Sequence, residues 1–209
     1  WDNSNNAHSS SFSLSSLRDK VKQAWVTSTQ VSFCAKAYPT VAVEHPDSAA
    51  LTILGDFLRN GFLHRAIRER GGAYGSGAGQ DSGDAAFRFF SYRDPRLSET
   101  LDDFDASIKW LLDNDHDEQK LEEAILGVVS SIDKPGSPAG EAKQAYHSSL
   151  FGRTPEQRRK IRSRILQVTI ADLKRVAETY LLNAEPSVAV VTSQAQADTL
   201  SDDYEIIEV

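Results

Sequence analysis

From Ala24 onward hydrophobic and polar positions alternate, with Val31, Phe33, Ala35 and Ala37 on one side and Ser32, Cys34, Lys36 and Tyr38 on the other. A period of two is that of a half-buried strand. Pro39, which cannot donate to a sheet ladder, closes it. The period then lengthens. His45-Pro46-Asp47 opens a helix, because proline suits the first turn and an early acid complements the helix dipole. Ala50, Ile53, Leu54, Phe57 and Leu58 follow at helical spacing, and after Asn60-Gly61 the stripe resumes with Leu63, Ala66 and Ile67. A long or broken helix is expected to reach about Arg70 and to stop at Gly71-Gly72. Two strand-like runs come next, Ala73 to Gly79 and Ala85 to Tyr92, the second with Phe87 and Phe89 alternating against Arg88 and Phe90. The polar, glycine-rich turn between them makes a hairpin.

Beyond Asp94 the pattern is helical. Pro95 starts an element whose Leu97, Leu101, Phe104, Ile108 and Leu111 keep one stripe, and Asp115 to Glu118 has the spacing of a capping box ahead of Leu121, Ile125, Val128 and Ile132. Lys134-Pro135-Gly136 ends that helix. Ser137-Pro138 starts a shorter one through Tyr146, Thr154 caps another and Thr169 a third, and Ser187 to Thr192 reads as a buried strand. The order is strand, helix, hairpin, several helices, strand, without a repeated strand-crossover alternation. It predicts the α+β class: an antiparallel sheet with helices packed on one face. No short-period repeat is visible. The Ser- and Asn-rich residues 1–16 read as a flexible arm or linker, and residues 17–209 as a single domain.

Composition narrows the function. The 209 residues carry 30 acidic and 23 basic side chains, a formal net charge of −7, which lacks the positive footprint of a nucleic-acid binder. No apolar run approaches a membrane span, so no membrane partner is expected. The single cysteine, Cys34, excludes an internal disulfide and a Cys-rich zinc site and leaves the compartment unreadable. The chain begins at Trp1 and has no methionine, so it reads as a soluble piece of something longer, with no signal peptide leading it.

Histidine is the usual metal ligand and general base. None of His8, His45, His64, His116 and His147 pairs with another at the spacing of a zinc helix. Glu44-His45 supplies the tail of H-x-x-E-H, but Val41 stands where the first histidine is required. His64 has Arg68 one turn later and reads as a helix-face residue; His116 and His147 read as surface residues near helix ends. The glycines of residues 71–83 follow a helix and precede a strand, the reverse of a phosphate cradle. Asp81-Ser82-Gly83 lacks the G-x-S-x-G elbow of a serine hydrolase.

The segment Arg68-Glu69-Arg70-Gly71-Gly72-Ala73-Tyr74-Gly75 is more informative. An arginine on the last helical turn and a tyrosine on the following strand can converge on one spot, offering a fork of donors and a hydroxyl. Together they could grip a peptide carbonyl, while small neighbours admit an extended chain to the strand edge. A tight turn with a solvated arginine and a core tyrosine is the other reading of the same residues.

FLHRAIRERGGAYGSG resembles a segment in the C-terminal half of pitrilysin-type zinc metallopeptidases, most closely the presequence-protease branch and its bacterial relatives. VSFCAKAYPTV, HPDSAALTILGDFL and KPGSPAGEAKQAYHSSLFGRTPEQRRKIRSRILQVTIADL extend the resemblance over residues 24–193. It implies a two-halved clamshell enclosing unstructured peptides, of which this chain is the last domain. Zinc, H-x-x-E-H and the glutamate base would belong to the N-terminal half, the partner of this chain, and no metal ligand to this chain. Motif match gives Arg68 and Tyr74 as contacts to substrate backbone and oxyanion, with Gly71, Gly72 and Gly75 shaping the turn. The piece alone should then be inactive and prone to self-association through surface its neighbours would cover. Proteolytically inactive recognition or assembly subunits share the fold and form the alternative.

Overall fold

A computed structural model describes residues 19–150 and 153–209; the arm expected over residues 1–16 lies outside the described residues. Six strands form one sheet: β1 (Lys22–Val26), β2 (Ser32–Pro39), β3 (Gly75–Asp81), β4 (Ala86–Asp94), β5 (Ser187–Thr192) and β6 (Glu205–Glu208). Their spatial order is β3-β4-β2-β5-β1-β6. β3 and β4 are the expected hairpin, and β4, β2 and β5 continue it antiparallel. β1 then pairs parallel with both β5 and β6. The α+β class therefore holds with a mixed sheet in place of a wholly antiparallel one. The difference comes from β1 and β6: the run from Ala24 to Pro39, expected as one strand, divides into β1 and β2, and the hydrophobic pattern does not announce the short β6.

The helices are α1 (Ser48–Leu58), α2 (Ser98–Asp113), α3 (Glu118–Asp133), α4 (Pro138–Leu150), α5 (Pro155–Ile165), α6 (Ile170–Ala177) and α7 (Gln194–Ala197). α1 does not break at Asn60-Gly61. It runs on as a wider, π-wound segment over Arg59–Arg70 that buries Leu63 and Ile67. A second π-wound turn, Glu178–Leu182, extends α6. Thr154 and Thr169 each close a capping box, with Gln157 and Asp172 as the returning side chains. α3 is capped by Asp117, whose carboxylate accepts from the Gln119 amide; the box expected from Asp115 is set two residues too early.

Phe87 and Phe89 of β4 meet at 5.2 Å between ring centroids, and Phe89 stacks on Phe104 of α2 at 5.4 Å. All three are fully buried. β2 turns its polar set, Ser32, Cys34, Lys36 and Tyr38, toward the helices. This works because the oxygen- and nitrogen-bearing side chains of the set find partners: Ser32 Oγ lies 2.9 Å from Thr192 Oγ1, Lys36 Nζ is 2.6 Å from Asp105 Oδ1, and the Tyr38 hydroxyl donates to the same carboxylate at 3.3 Å. The other face of the sheet carries Trp25, Phe33, Phe90, Tyr92 and Val191, each between 37% and 44% exposed. Among the described residues no helix is long and apolar enough to cross a membrane.

Candidate functional site

The π-wound segment ends in a cap built from its own backbone. Gly71 and Gly72 both donate their amides to the Arg68 carbonyl, and Ala73 donates to the Ile67 carbonyl at 3.1 Å. The Gly72 and Ala73 bonds each span one residue more than their counterparts in the familiar glycine cap of an α-helix, as the wider winding requires. Gly72 has φ +82°, a left-handed conformation in which a Cβ is unfavourable.

Gly71 is required for a different reason: a Cβ there would overlap the guanidinium of Arg96 and the Ile67 carbonyl. Arg96 reaches this place from the loop before α2, where its Nη2 donates to Asp103 at 2.9 Å and to the Ala66 carbonyl at 3.4 Å. Its own loop is pinned by fully buried Asp94, which accepts from the Arg96 amide at 3.0 Å and the Thr100 hydroxyl at 2.8 Å. The turn between helix and β3 is thus braced against α2 by charge-assisted hydrogen bonds.

Ala73 is buried, and the two candidate side chains leave the turn on either side of the stretch it anchors. Arg68 is exposed. Tyr74 is 65% exposed, so the reading of it as a core tyrosine is excluded. The Tyr74 amide donates to the Arg93 carbonyl at 3.3 Å. Its ring leans on Tyr92 at 5.6 Å between centroids, and the Arg93 guanidinium carbon lies 5.9 Å from its ring centre. Among the described residues no hydrogen bond engages the Tyr74 hydroxyl. Gly75 is buried beneath the Tyr92 ring, which would overlap a Cβ at that position. Phe90 covers Gly77 in the same way, so two aromatic rings of β4 roof the glycines of edge strand β3.

Sequence reasoning brings forward Arg68, Tyr74 and the three glycines but misses Tyr92 and Arg96. The only hint of them is the run Tyr92-Arg93-Asp94-Pro95-Arg96, whose charges are too dense for an ordinary strand end. Among the described residues no three His, Cys, Asp or Glu side chains gather as metal ligands. His45 and His116 hold local partners: His45 Nδ1 accepts from the Asp47 amide at 3.1 Å, and His116 Nε2 meets the Leu111 carbonyl at 2.9 Å. An open cleft of about 650 Å3, lined by Lys36, Leu101, Asp105, Val188 and Tyr204, includes none of the candidate residues.

Residues 22–194 match the PreP C-terminal domain family. The mitochondrial presequence protease of Kluyveromyces lactis is 39% identical over 163 residues, which is 78% of this chain and 16% of that protein. That of Drosophila melanogaster is 40% identical over 160 residues, 76% of this chain and 15% of that protein. The chain therefore spans roughly one sixth of the length of these curated relatives. Among solved structures, pitrilysin superposes with a TM-score of 0.66 at 17% identity, covering 90% of this chain and 22% of pitrilysin. A peptidase M16 inactive domain from Pseudomonas fluorescens gives 0.65 at 16% identity, covering 83% and 44%. The solved structures share the fold; matched over most of its length by the family and by relatives near 40% identity, the chain belongs to the PreP C-terminal domain family.

Proposed function

We propose that this chain is the last, non-metal-binding domain of a zinc-dependent metallopeptidase that hydrolyses unstructured peptides, and that it lends two electrophilic side chains to a site completed by the N-terminal half. The observation that carries this is the exposure of Arg68 and Tyr74 on either side of a braced glycine turn, with no hydrogen bond to the Tyr74 hydroxyl among the described residues. A core-forming tyrosine would be buried and a merely structural one would spend its hydroxyl.

In the proposed reaction the Arg68 guanidinium donates to a backbone carbonyl of the peptide and fixes its register. The Tyr74 hydroxyl donates to the oxygen of the scissile carbonyl as negative charge develops on it. Such a donor, oriented before the reaction, favours the transition state over the ground state. Zinc, held by the other half, would supply Lewis-acid polarisation. Gly71, Gly72 and Gly75 keep the turn and strand close enough for both side chains to serve one substrate. The chain alone then lacks the base and the metal and cuts nothing.

A recognition or assembly role is the second reading, favoured by the naming of a structural neighbour as an inactive domain. One experiment separates the two. Tyr74→Phe in the full-length protein should lower kcat by on the order of 100-fold with the peptide KM little changed. Unchanged turnover rejects the oxyanion role.

A further inference from the structure

The π-wound segment sets three ionisable side chains in one line. Arg68 Nη1 lies 3.3 Å from Nε2 of His64, and Nδ1 of the same ring lies 3.3 Å from Oε1 of Glu69. A guanidinium can only donate, so the ring nitrogen facing it must present a lone pair. The ring proton of the neutral imidazole then sits on Nδ1, the nitrogen that lies 3.3 Å from the Glu69 carboxylate. The imidazole thus stands between the two charged groups, accepting from Arg68 through Nε2 and facing the Glu69 carboxylate with Nδ1. Histidines whose tautomer is set by a second-layer carboxylate are a recurrent way of orienting a working group.

We propose that His64 is a positioning residue for Arg68: its neutral ring, with the Glu69 carboxylate beside Nδ1, takes one arm of the guanidinium on Nε2 and leaves the remaining N–H donors for substrate. This rests on the reading of Arg68 as a substrate contact. Arg68 is a long side chain on an exposed surface and, unheld, has several rotamers to lose on binding. Holding it in advance lowers that cost.

Protonation undoes the arrangement. A proton on Nε2 turns the acceptor into a donor facing a cation, so the Arg68 contact is lost while the Glu69 contact strengthens. Among the described residues the ring's polar and charged contacts are with Arg68 and Glu69. α1 has one charged side chain, Asp56, which pairs with Arg59. β3 has none before Asp81, which pairs with Arg88. α2 meets the segment through Asp103, engaged with Arg96 beside Ala66. On the segment itself Arg65 and Arg70 are exposed.

The test is a double-mutant cycle in the full-length protein, reading kcat/KM on an unstructured peptide, or peptide Kd if the whole protein binds without cutting. His64→Ala should lower the constant about 3- to 10-fold, the size of one hydrogen bond to a charged group near the surface. That loss should vanish in an Arg68→Ala background, because His64 acts only through Arg68. His64→Gln, whose amide oxygen also accepts, should recover most of it. Parental values for His64→Ala, or a loss that persists undiminished beside Arg68→Ala, overturn the proposal while leaving the substrate contact standing. Parental values for Arg68→Ala overturn the substrate contact and this proposal together.

Discussion

The guanidinium of Arg96 occupies the space that a side chain on Gly71 would fill. Gly71→Ala must push either the Arg96 guanidinium or the Ile67 carbonyl aside, so it should cost about 1–3 kcal/mol, the range for overpacking a tight site. The unfolding midpoint of the chain measures this. Adding Arg96→Ala should remove only part of the loss, because the Ile67 carbonyl still blocks the new methyl.

Gly72 presents the opposite case. The nearest neighbour of a Cβ there is Pro95 Cγ at 3.5 Å, an ordinary contact, yet φ is +82°. Gly72→Ala should therefore lose about 1–2 kcal/mol through backbone conformation alone. Gly72→Asn, which tolerates the left-handed region better, should lose less. Denaturant unfolding of the two variants side by side decides it; equal losses would mean the turn has relaxed.

Asp47 ties the start of α1 to α6. Its carboxylate accepts from Arg175 Nη2 and from the Tyr180 hydroxyl, each at 2.8 Å. The Arg175 hydrogen bond holds the Asp47 carboxyl below its usual range, against the opposing effect of burial, while burial and the same carboxylate push the Tyr180 phenol up to about 12. A carboxyl whose pKa falls on folding contributes stability at pH values above its unfolded pKa, and that stability is lost as pH drops through the folded pKa. Asp47→Asn should thus cost about 1–2 kcal/mol at pH 7, Arg175 being half exposed. The gap between variant and parent should close below about pH 4. Unfolding curves at pH 7, 5 and 3 check the sign.

Cys34 sits on the helix side of β2, 1% exposed, and burial pushes its thiol up to about 12. Alkylation needs the thiolate. The folded chain should therefore react with iodoacetamide orders of magnitude more slowly than the unfolded chain, at a rate that tracks global opening. Rapid labelling of folded protein would contradict the placement of β2.

What the sequence discloses here is what neighbours in the chain decide. The helix starts at Thr154 and Thr169 are local, each closed by a side chain three residues later, and both starts are legible in the sequence. So are the β3-β4 hairpin and the stripe of α2. β1 and β6 are not, since Lys22–Val26 is a strand only by virtue of pairing with Val188–Thr192 and Glu205–Glu208. The sidedness of β2 is hidden for the same reason: Thr192 and Asp105, which satisfy Ser32 and Lys36, stand 160 and 69 residues away. At the candidate site the motif yields Arg68 and Tyr74, but not the brace from Arg96 or the placement of Tyr92, both set by side chains crossing between elements.

Under its two aromatic rings β3 has also lost the freedom to slip by a single position. Moving it one position along β4 would bring Ser76 and Ala78 beneath Tyr92 and Phe90, where even a single carbon has no room. The hairpin thus has its registration proofread by empty space, and whatever orientation Tyr74 takes at its entrance is inherited from that fit.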